Sequence, residues 1–388
     1  MMGMDPLGPA SVALIASTSS ALSGSWECVQ SGAATGVKAS LARCGLWFAS
    51  WFYGIGCRVH RLAYMLGFKK RGSLPVPIIS IGNLTAGGTG KTPMVALVAQ
   101  RLRDEGASVT ILSRGYGATA GNSNDEALVL SEICPDVPHL QGADRIALGQ
   151  TAIDELGASV LVLDDGFQHH RIARDIDIVL IDATCPWGHG HLLPRGLLRE
   201  PRSALKRANL IVLTRCDQIQ PQALASLSDQ VKRAAPGIPI LESAHKPSGL
   251  SRTGHDEVLP SSWLEGRSVA AFCGLGRPEA FRKTLEHLGA RILEWRIFPD
   301  HHPYNRDDIR SLSEWAAGLP EGTPVICTHK DLVKIQLSHL AGSALYRLDV
   351  SLELQDNNNV LDSLLSPVVH RALEIEEARE ESEDETTP

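Results

Sequence analysis

Eight consecutive residues, Thr85-Ala86-Gly87-Gly88-Thr89-Gly90-Lys91-Thr92, have the composition that wraps backbone amides around phosphate. A P-loop reads G-x-x-x-x-G-K-[ST], so Gly90, Lys91 and Thr92 match, while Thr85 stands where glycine is usual and Gly87 and Gly88 compensate in part. In such a loop the amides and the positive helix N-terminus hold the phosphates. The lysine reaches the transferring group, and the threonine hydroxyl ligates Mg²⁺. A second cluster, Leu161-Val-Leu-Asp164-Asp165-Gly166, is an apolar run ending in two carboxylates, the place where P-loop enzymes hold Mg²⁺ directly or through water. One carboxylate suffices there, and the other reads equally as a metal contact or a helix cap. Phe167-Gln168-His169-His170-Arg171 extends the chain past this strand, where switch-point geometry places ligands.

Positioning these residues requires strand, glycine loop and helix in that order. The β-branched run over 76–82 and the helical apolar spacing over 92–105 supply it. Further strand-like runs at 108–112, 160–163, 176–181 and 210–213 alternate with helical segments, the rhythm of a doubly wound, mostly parallel α/β sheet. A second series at 269–273, 292–297 and 325–327 predicts a smaller α/β lobe. The Pro-, Ser- and Gly-containing stretch near 246–254 suggests a boundary within 220–265.

The net charge of −7 gives no hint of nucleic acid, and no protein partner is inferable. Eight cysteines without a C-x-x-C pair argue against a zinc site or a disulfide framework and fit a reducing compartment. The charge is unevenly spread. Positions 29 to 103 hold no Asp or Glu but ten Lys and Arg, so this region faces anions, whereas 374–383 is dominated by carboxylates and reads as a disordered tail. Seven of the nineteen aromatics, Trp47, Phe48, Trp51, Phe52, Tyr53, Tyr64 and Phe68, fall in the same basic region. The apolar block at 44–57 is short of the ~20 residues that span a bilayer, so it predicts a helix lying in the membrane interface. The expected organisation is a disordered leader over 1–42, an amphipathic membrane-interface helix over 43–72, a P-loop core lobe over 73–235, a second α/β lobe over 236–370 and a disordered tail over 371–388.

From Gly45 to about Ser351 the chain resembles the tetraacyldisaccharide 4'-kinases of lipid A biosynthesis. The resemblance rests on Ile81-Gly-Asn-Leu-Thr-Ala-Gly-Gly-Thr-Gly-Lys-Thr-Pro93, Leu112-Ser-Arg-Gly-Tyr-Gly117, Asn124-Asp-Glu126, Asp164-Asp-Gly-Phe-Gln-His169, Arg174-Asp-Ile176, Leu192-Leu-Pro-Arg-Gly-Leu-Leu-Arg-Glu-Pro201, Gly274-Leu-Gly276 and Phe298-Pro-Asp-His301. Thr85 in place of the first Walker glycine is itself a trait of that family.

The resemblance implies a P-loop lipid kinase that uses ATP and Mg²⁺ to phosphorylate the 4'-hydroxyl of a tetraacylated glucosamine disaccharide 1-phosphate. Its site would be peripheral or monotopic on the cytoplasmic face of the bacterial inner membrane. It further implies that Asp125 works with His301 to activate the acceptor hydroxyl, with His302 an alternative by spacing, and that Lys91 serves catalysis. Residues 85–92 would hold nucleotide, and Thr92, Asp164 and Asp165 would hold metal. Arg145, Gln168, His169, Arg199 and Glu200 would meet phosphate or substrate. Without the resemblance, Asp125 in Asn-Ser-Asn-Asp reads as a loop residue. The rival expectation is a regulatory or metal-handling P-loop GTPase, because Thr214-Arg-Cys-Asp217 and Thr328-His-Lys-Asp331 each approximate the T-K-x-D box that reads guanine, though neither fits it.

Overall fold

The computed structural model describes residues 28–115, 125–276 and 278–386. Its strands are β1 (Ile78–Asn83), β2 (Val109–Ser113), β3 (His139–Gln141), β4 (Val160–Asp164), β5 (Ile176–Asp182), β6 (Leu210–Thr214), β7 (Ile240–Arg252), β8 (His255–Leu259), β9 (Ser268–Cys273), β10 (Arg291–Ile297), β11 (Val325–Thr328), β12 (His339–Leu340) and β13 (Ser343–Gln355). The principal helices are α1 (Val37–Met65), α2 (Lys91–Asp104), α3 (Asp125–Ile133), α4 (Arg145–Leu156), α5 (Pro221–Ala234), α6 (Pro278–His287), α7 (Arg306–Ala317), α8 (His329–Ile335) and α9 (Val360–Thr386).

Buried runs such as Ile78-Ile79-Ser80-Ile81 and Val160-Leu161-Val162-Leu163 are apolar on both faces, as strands of a parallel sheet covered by helices on each side must be. The strands form one sheet in the order β10-β9-β11-β13-β7-β6-β5-β1-β4-β2-β3. Every pairing along this path is parallel except β13 with β7. Strand β1 lies between β4 and β5, so the loop that leaves it opens at the switch point of the sheet.

The parallel strands expected from hydrophobic runs are present, and the antiparallel ones correct the expectation. The stretch over 246–254 that reads as a boundary lies within β7 and its turn into β8. Strand β7 pairs with β6 at one end and with β13 from Glu242↔Gln355 to Ser251↔Arg347. Partner strands override the weak local propensity, and Pro247 falls where the register shifts, which spares the ladder a missing donor.

Both termini also depart from expectation. Residues 1–27 lie outside the described residues. Beyond them the chain is already ordered: Gln30 donates to the Pro194 carbonyl, Arg195 donates to the Gln30 carbonyl, and helix α1 begins at Val37 rather than at 43. At the other end, the tail expected to be disordered from 371 is helical through Thr386. Leu361, Leu365, Val368 and Ala372 are buried in the core around α2 and β2, so 360–370 packs on the P-loop half and not on the far half. Glu376 accepts from the Ser108 amide, and Arg379 donates to the Gly157 and Ala158 carbonyls, which offsets the self-repulsion that acidic composition suggests.

Candidate active site

Strand β1 delivers the chain into the glycine loop, and a second segment pins that loop from outside. The Ala86 amide donates to the Leu197 carbonyl, the Arg199 amide donates to the Leu84 carbonyl, and Thr85 bridges Leu198. The Ala86 N–H is therefore already committed within the protein. From within, Asn83 Nδ2 donates to Thr89 Oγ1 at 2.9 Å and to the Gly87 carbonyl at 3.3 Å. Gly90 sits in left-handed backbone (φ +83°) as the N-cap of α2, and among the described residues no side chain caps that helix, leaving its first amides for an anion. A Cβ on Gly90 would also lie 2.7 Å from His245 Nε2, so the position is closed to other residues on two grounds.

On the neighbouring strand, Asp164 is buried and its Oδ1 has no hydrogen-bond partner among the described residues. Burial, with the adjacent Asp165 charge, pushes its carboxyl up to about 6 despite Lys91. This orphaned acceptor fits a divalent cation, as does Thr92 at the start of α2. Asp165 is differently placed. It holds left-handed backbone (φ 57°), and Arg199 Nη1 reaches its two oxygens at 2.7 and 2.9 Å, with Lys91 Nζ at 3.6 Å. Burial alone would raise its carboxyl, but Lys91 and Arg199 outweigh that and hold it below the ordinary range. Of the two carboxylates, Asp164 carries the unpartnered oxygen, and Asp165 is tied to the two cations.

Around this pair, Gln168 Nε2 donates to the Asn83 carbonyl at 2.8 Å, and Arg199 Nη1 lies 3.4 Å from Gln168 Oε1. His169 is held neutral, its titration lowered to about 4 by burial and then by Arg145, Arg174 and Arg171. Arg145 is buried, donates to the Gly142 carbonyl, and lies within electrostatic reach of Asp164 and Asp165. Glu200 is clasped by Arg207 at 2.8 and 3.0 Å, with His170 Nε2 3.9 Å from its Oε1.

A carboxylate–imidazole pair forms where the two halves of the sheet meet. Asp125 opens α3 on the P-loop half, and His301 comes from the loop after β10 with its Nδ1 2.8 Å from Asp125 Oδ2. His302, the alternative by spacing, turns instead to Asp308 at 2.9 Å. The Asp125 bond raises the His301 titration against the opposing effect of burial. Burial pushes the Asp125 carboxyl up, yet His301 and Lys334 together hold it below the usual carboxylate range. Adjacent Glu126 pairs with Lys330 at 2.7 Å, and both act electrostatically on Asp164, which links this pair to the acidic strand end.

Both approximations of a guanine box have other roles. Thr328 caps α8 and bonds Asp331, which is wholly buried and also accepts from Tyr304 and the Gly274 amide. Thr214 donates to the Thr89 carbonyl at 3.0 Å, and Arg215 donates to the Gly88 carbonyl at 2.9 Å while pairing with Asp182, so this strand end braces the P-loop. Sequence reasoning missed these braces and missed Lys334, for which no motif gives a signal.

A glycine loop leaving the central strand of a parallel sheet, beside a strand that ends in a buried aspartate, defines a P-loop NTPase-like nucleotide-binding fold. Residues 42–369 match the family described as tetraacyldisaccharide-1-P 4'-kinase. The tetraacyldisaccharide 4'-kinase of Anaeromyxobacter dehalogenans (strain 2CP-C) is 41% identical over 76% of this chain and 84% of its own length. The protein of the same name from Syntrophus aciditrophicus (strain SB) is 39% identical over 74% and 82%. The crystal structure of LpxK from Aquifex aeolicus in complex with ATP superposes with a TM-score of 0.68 at 30% identity, covering 84% of this chain and 99% of that one. The chain belongs to the tetraacyldisaccharide-1-P 4'-kinase family. A regulatory GTPase is not favoured.

Proposed function

We propose that this protein transfers the γ-phosphoryl group of ATP to the 4'-hydroxyl of a tetraacylated glucosamine disaccharide 1-phosphate. One observation carries the reading: the cradle at 87–92, the orphaned Asp164 acceptor and the Asp125–His301 pair all lie at the C-terminal edge of the parallel sheet, coupled through Glu126 and Lys330. Amides of 87–92 bind the phosphates, while Lys91, Arg199 and Arg145 supply positive charge where the transferring group develops negative charge. Asp125, oriented by His301, accepts the hydroxyl proton. The freed oxygen pair bonds the γ-phosphorus, the bridging P–O bond breaks, and ADP leaves with that electron pair. Asp164 and Thr92 would hold Mg²⁺, which when bound neutralises phosphate charge.

Membrane contact belongs to the same reading. Helix α1 buries only Ser50 and Gly54. Ser50 Oγ donates to the Leu192 carbonyl and accepts from the Arg195 amide, and Tyr53 donates to the Arg199 carbonyl. Trp47, Phe48, Trp51 and Phe52 on the same helix are each between 51 and 66% exposed. Among the described residues no helix is long and apolar enough to cross a membrane. The aromatic side suits headgroup depth on the inner-membrane cytoplasmic face, where a long-chain substrate stays in lipid.

The test is transfer of labelled phosphate from ATP to the purified lipid disaccharide. Lys91→Ala and Asp125→Ala should each lower the rate by roughly 10²–10⁴-fold. Full activity in either variant overturns the role given to that residue.

A further inference from the structure

Helix α8 carries one cation that the reaction outlined above does not use. Lys334 has only 7% of its side chain exposed, yet its Nζ lies 2.6 Å from Asp125 Oδ2 and donates to the His302 carbonyl at 3.0 Å. A lysine buried to this degree is placed for its partner, because taking an ammonium out of water is costly unless a charge answers it. Its partner is the carboxylate oxygen that His301 also grips, so both cations converge on Oδ2. The two arrive by different routes, His301 from the loop after β10 and Lys334 from α8, while Asp125 belongs to α3 on the other half of the sheet.

We propose that Lys334 is a positioning residue for phosphoryl transfer, holding Asp125 Oδ2 together with His301 so that Oδ1 is presented to the acceptor hydroxyl only while the two halves of the molecule are in contact. This rests on the kinase reading above. The same bond ties the catalytic loop to the base, since the carbonyl that Lys334 engages is that of the residue after His301. The charged and titratable groups facing the pair are His301, Asp300 and Tyr304 from the 298–304 loop, Glu126 on α3, and Lys330 and Asp331 on α8. Burial drives the Asp125 carboxyl upward and the two cations drive it down. Removing one cation therefore moves its protonation to higher pH.

Arg347 provides a control. It lies on β13 and makes a charged contact across the halves to Glu132, at the far end of α3 from Asp125. The experiment measures kcat, KM for ATP and the pH profile of the full-length Lys334→Met, Lys334→Arg, Arg347→Met and Asp125→Asn proteins with ATP and the lipid disaccharide in detergent micelles. Lys334→Met should lower kcat roughly a hundredfold, leave KM for ATP within about twofold, and shift the acid limb of the profile to higher pH. Lys334→Arg should recover part of the rate and restore the limb. Arg347→Met should stay within about threefold of the parent. Equal losses in Arg347→Met and Lys334→Met, or an unmoved acid limb, reduce Lys334 to a structural tie and overturn the proposal. An inactive Asp125→Asn beside an unimpaired Lys334→Met sinks the proposal alone, whereas a fully active Asp125→Asn sinks the kinase reading beneath it.

Discussion

Asp125 takes its properties from what other segments deliver to it. In its own sequence context it is an ordinary loop-type acid, and only the family resemblance marked it. His301 was marked by the same resemblance, and geometry separates it from His302 by turning the latter to Asp308. Lys334 gave no signal at all, because a lysine in a short helix reads as solvated until the fold buries it. The coupling of His301 to Asp125 has a measurable sign. His301 has a raised titration whose leading cause is the Asp125 bond, so its share of stability is complete below the unfolded pKa and lost as pH rises through the folded one. Asp125, held low, contributes in the opposite sense: its share is present above the unfolded pKa and lost as pH falls through the folded one. Histidine NMR should show His301 titrating above an ordinary histidine, and in Asp125→Asn moving downward, since burial then acts without its counterweight. An unchanged midpoint in that variant would mean that the pair does not form in solution.

Elements were legible where one face or both faces of a segment are apolar. The parallel strands and α2 followed from hydrophobic runs and from the glycine loop between them. The β7–β13 pairing did not, since a strand containing Pro247, Ser248 and Gly249 is specified by its partner rather than by its own residues. Helix α9 was half legible: Leu361, Leu365, Val368 and Ala372 recur at helical spacing, but the carboxylates after them suggested a solvated tail. At α1 the aromatic side was legible, and the docking side was not, because Ser50 and Gly54 are small residues whose value lies in what they let approach. A Cβ on Gly54 would lie 2.9 Å from Leu192 Cδ1. Gly54→Leu should therefore lever α1 off the 192–199 segment that pins the P-loop, lowering stability by about 1–3 kcal/mol. Denaturant unfolding should register the loss, together with a weaker affinity for ATP. Wild-type stability in that variant would show that α1 is not seated on this segment.

Considered whole, the molecule sets one side of α1 outward and its inner side against the reaction centre. His60 and Tyr64 pack their rings 5.9 and 6.1 Å from that of His170, on the loop that follows Asp164 and Asp165. Replacing Trp47, Phe48, Trp51 and Phe52 together with serine should abolish sedimentation with phospholipid vesicles and leave ATP affinity unchanged, because none of these rings supports the P-loop. Retained sedimentation would assign the exposed side another purpose. The contact of the two halves depends on charge, through Glu126 with Lys330, Asp125 with Lys334, and Glu132 with His329 and Arg347.

The backbone that joins those halves is no slack tether. Two thirteen-residue strands, β7 and β13, run as one hydrogen-bonded ladder from the P-loop half into the far half. Such a ladder resists bending in its own plane and yields most readily to twist, like a torsion bar. Its one crease is the register shift at Asp349 and Val350, opposite Gly249 and Pro247. Opening would then be a small rotation about that crease, one that unseats Lys334 and His301 from Asp125 in a single stroke and springs back along the same path when the product has gone.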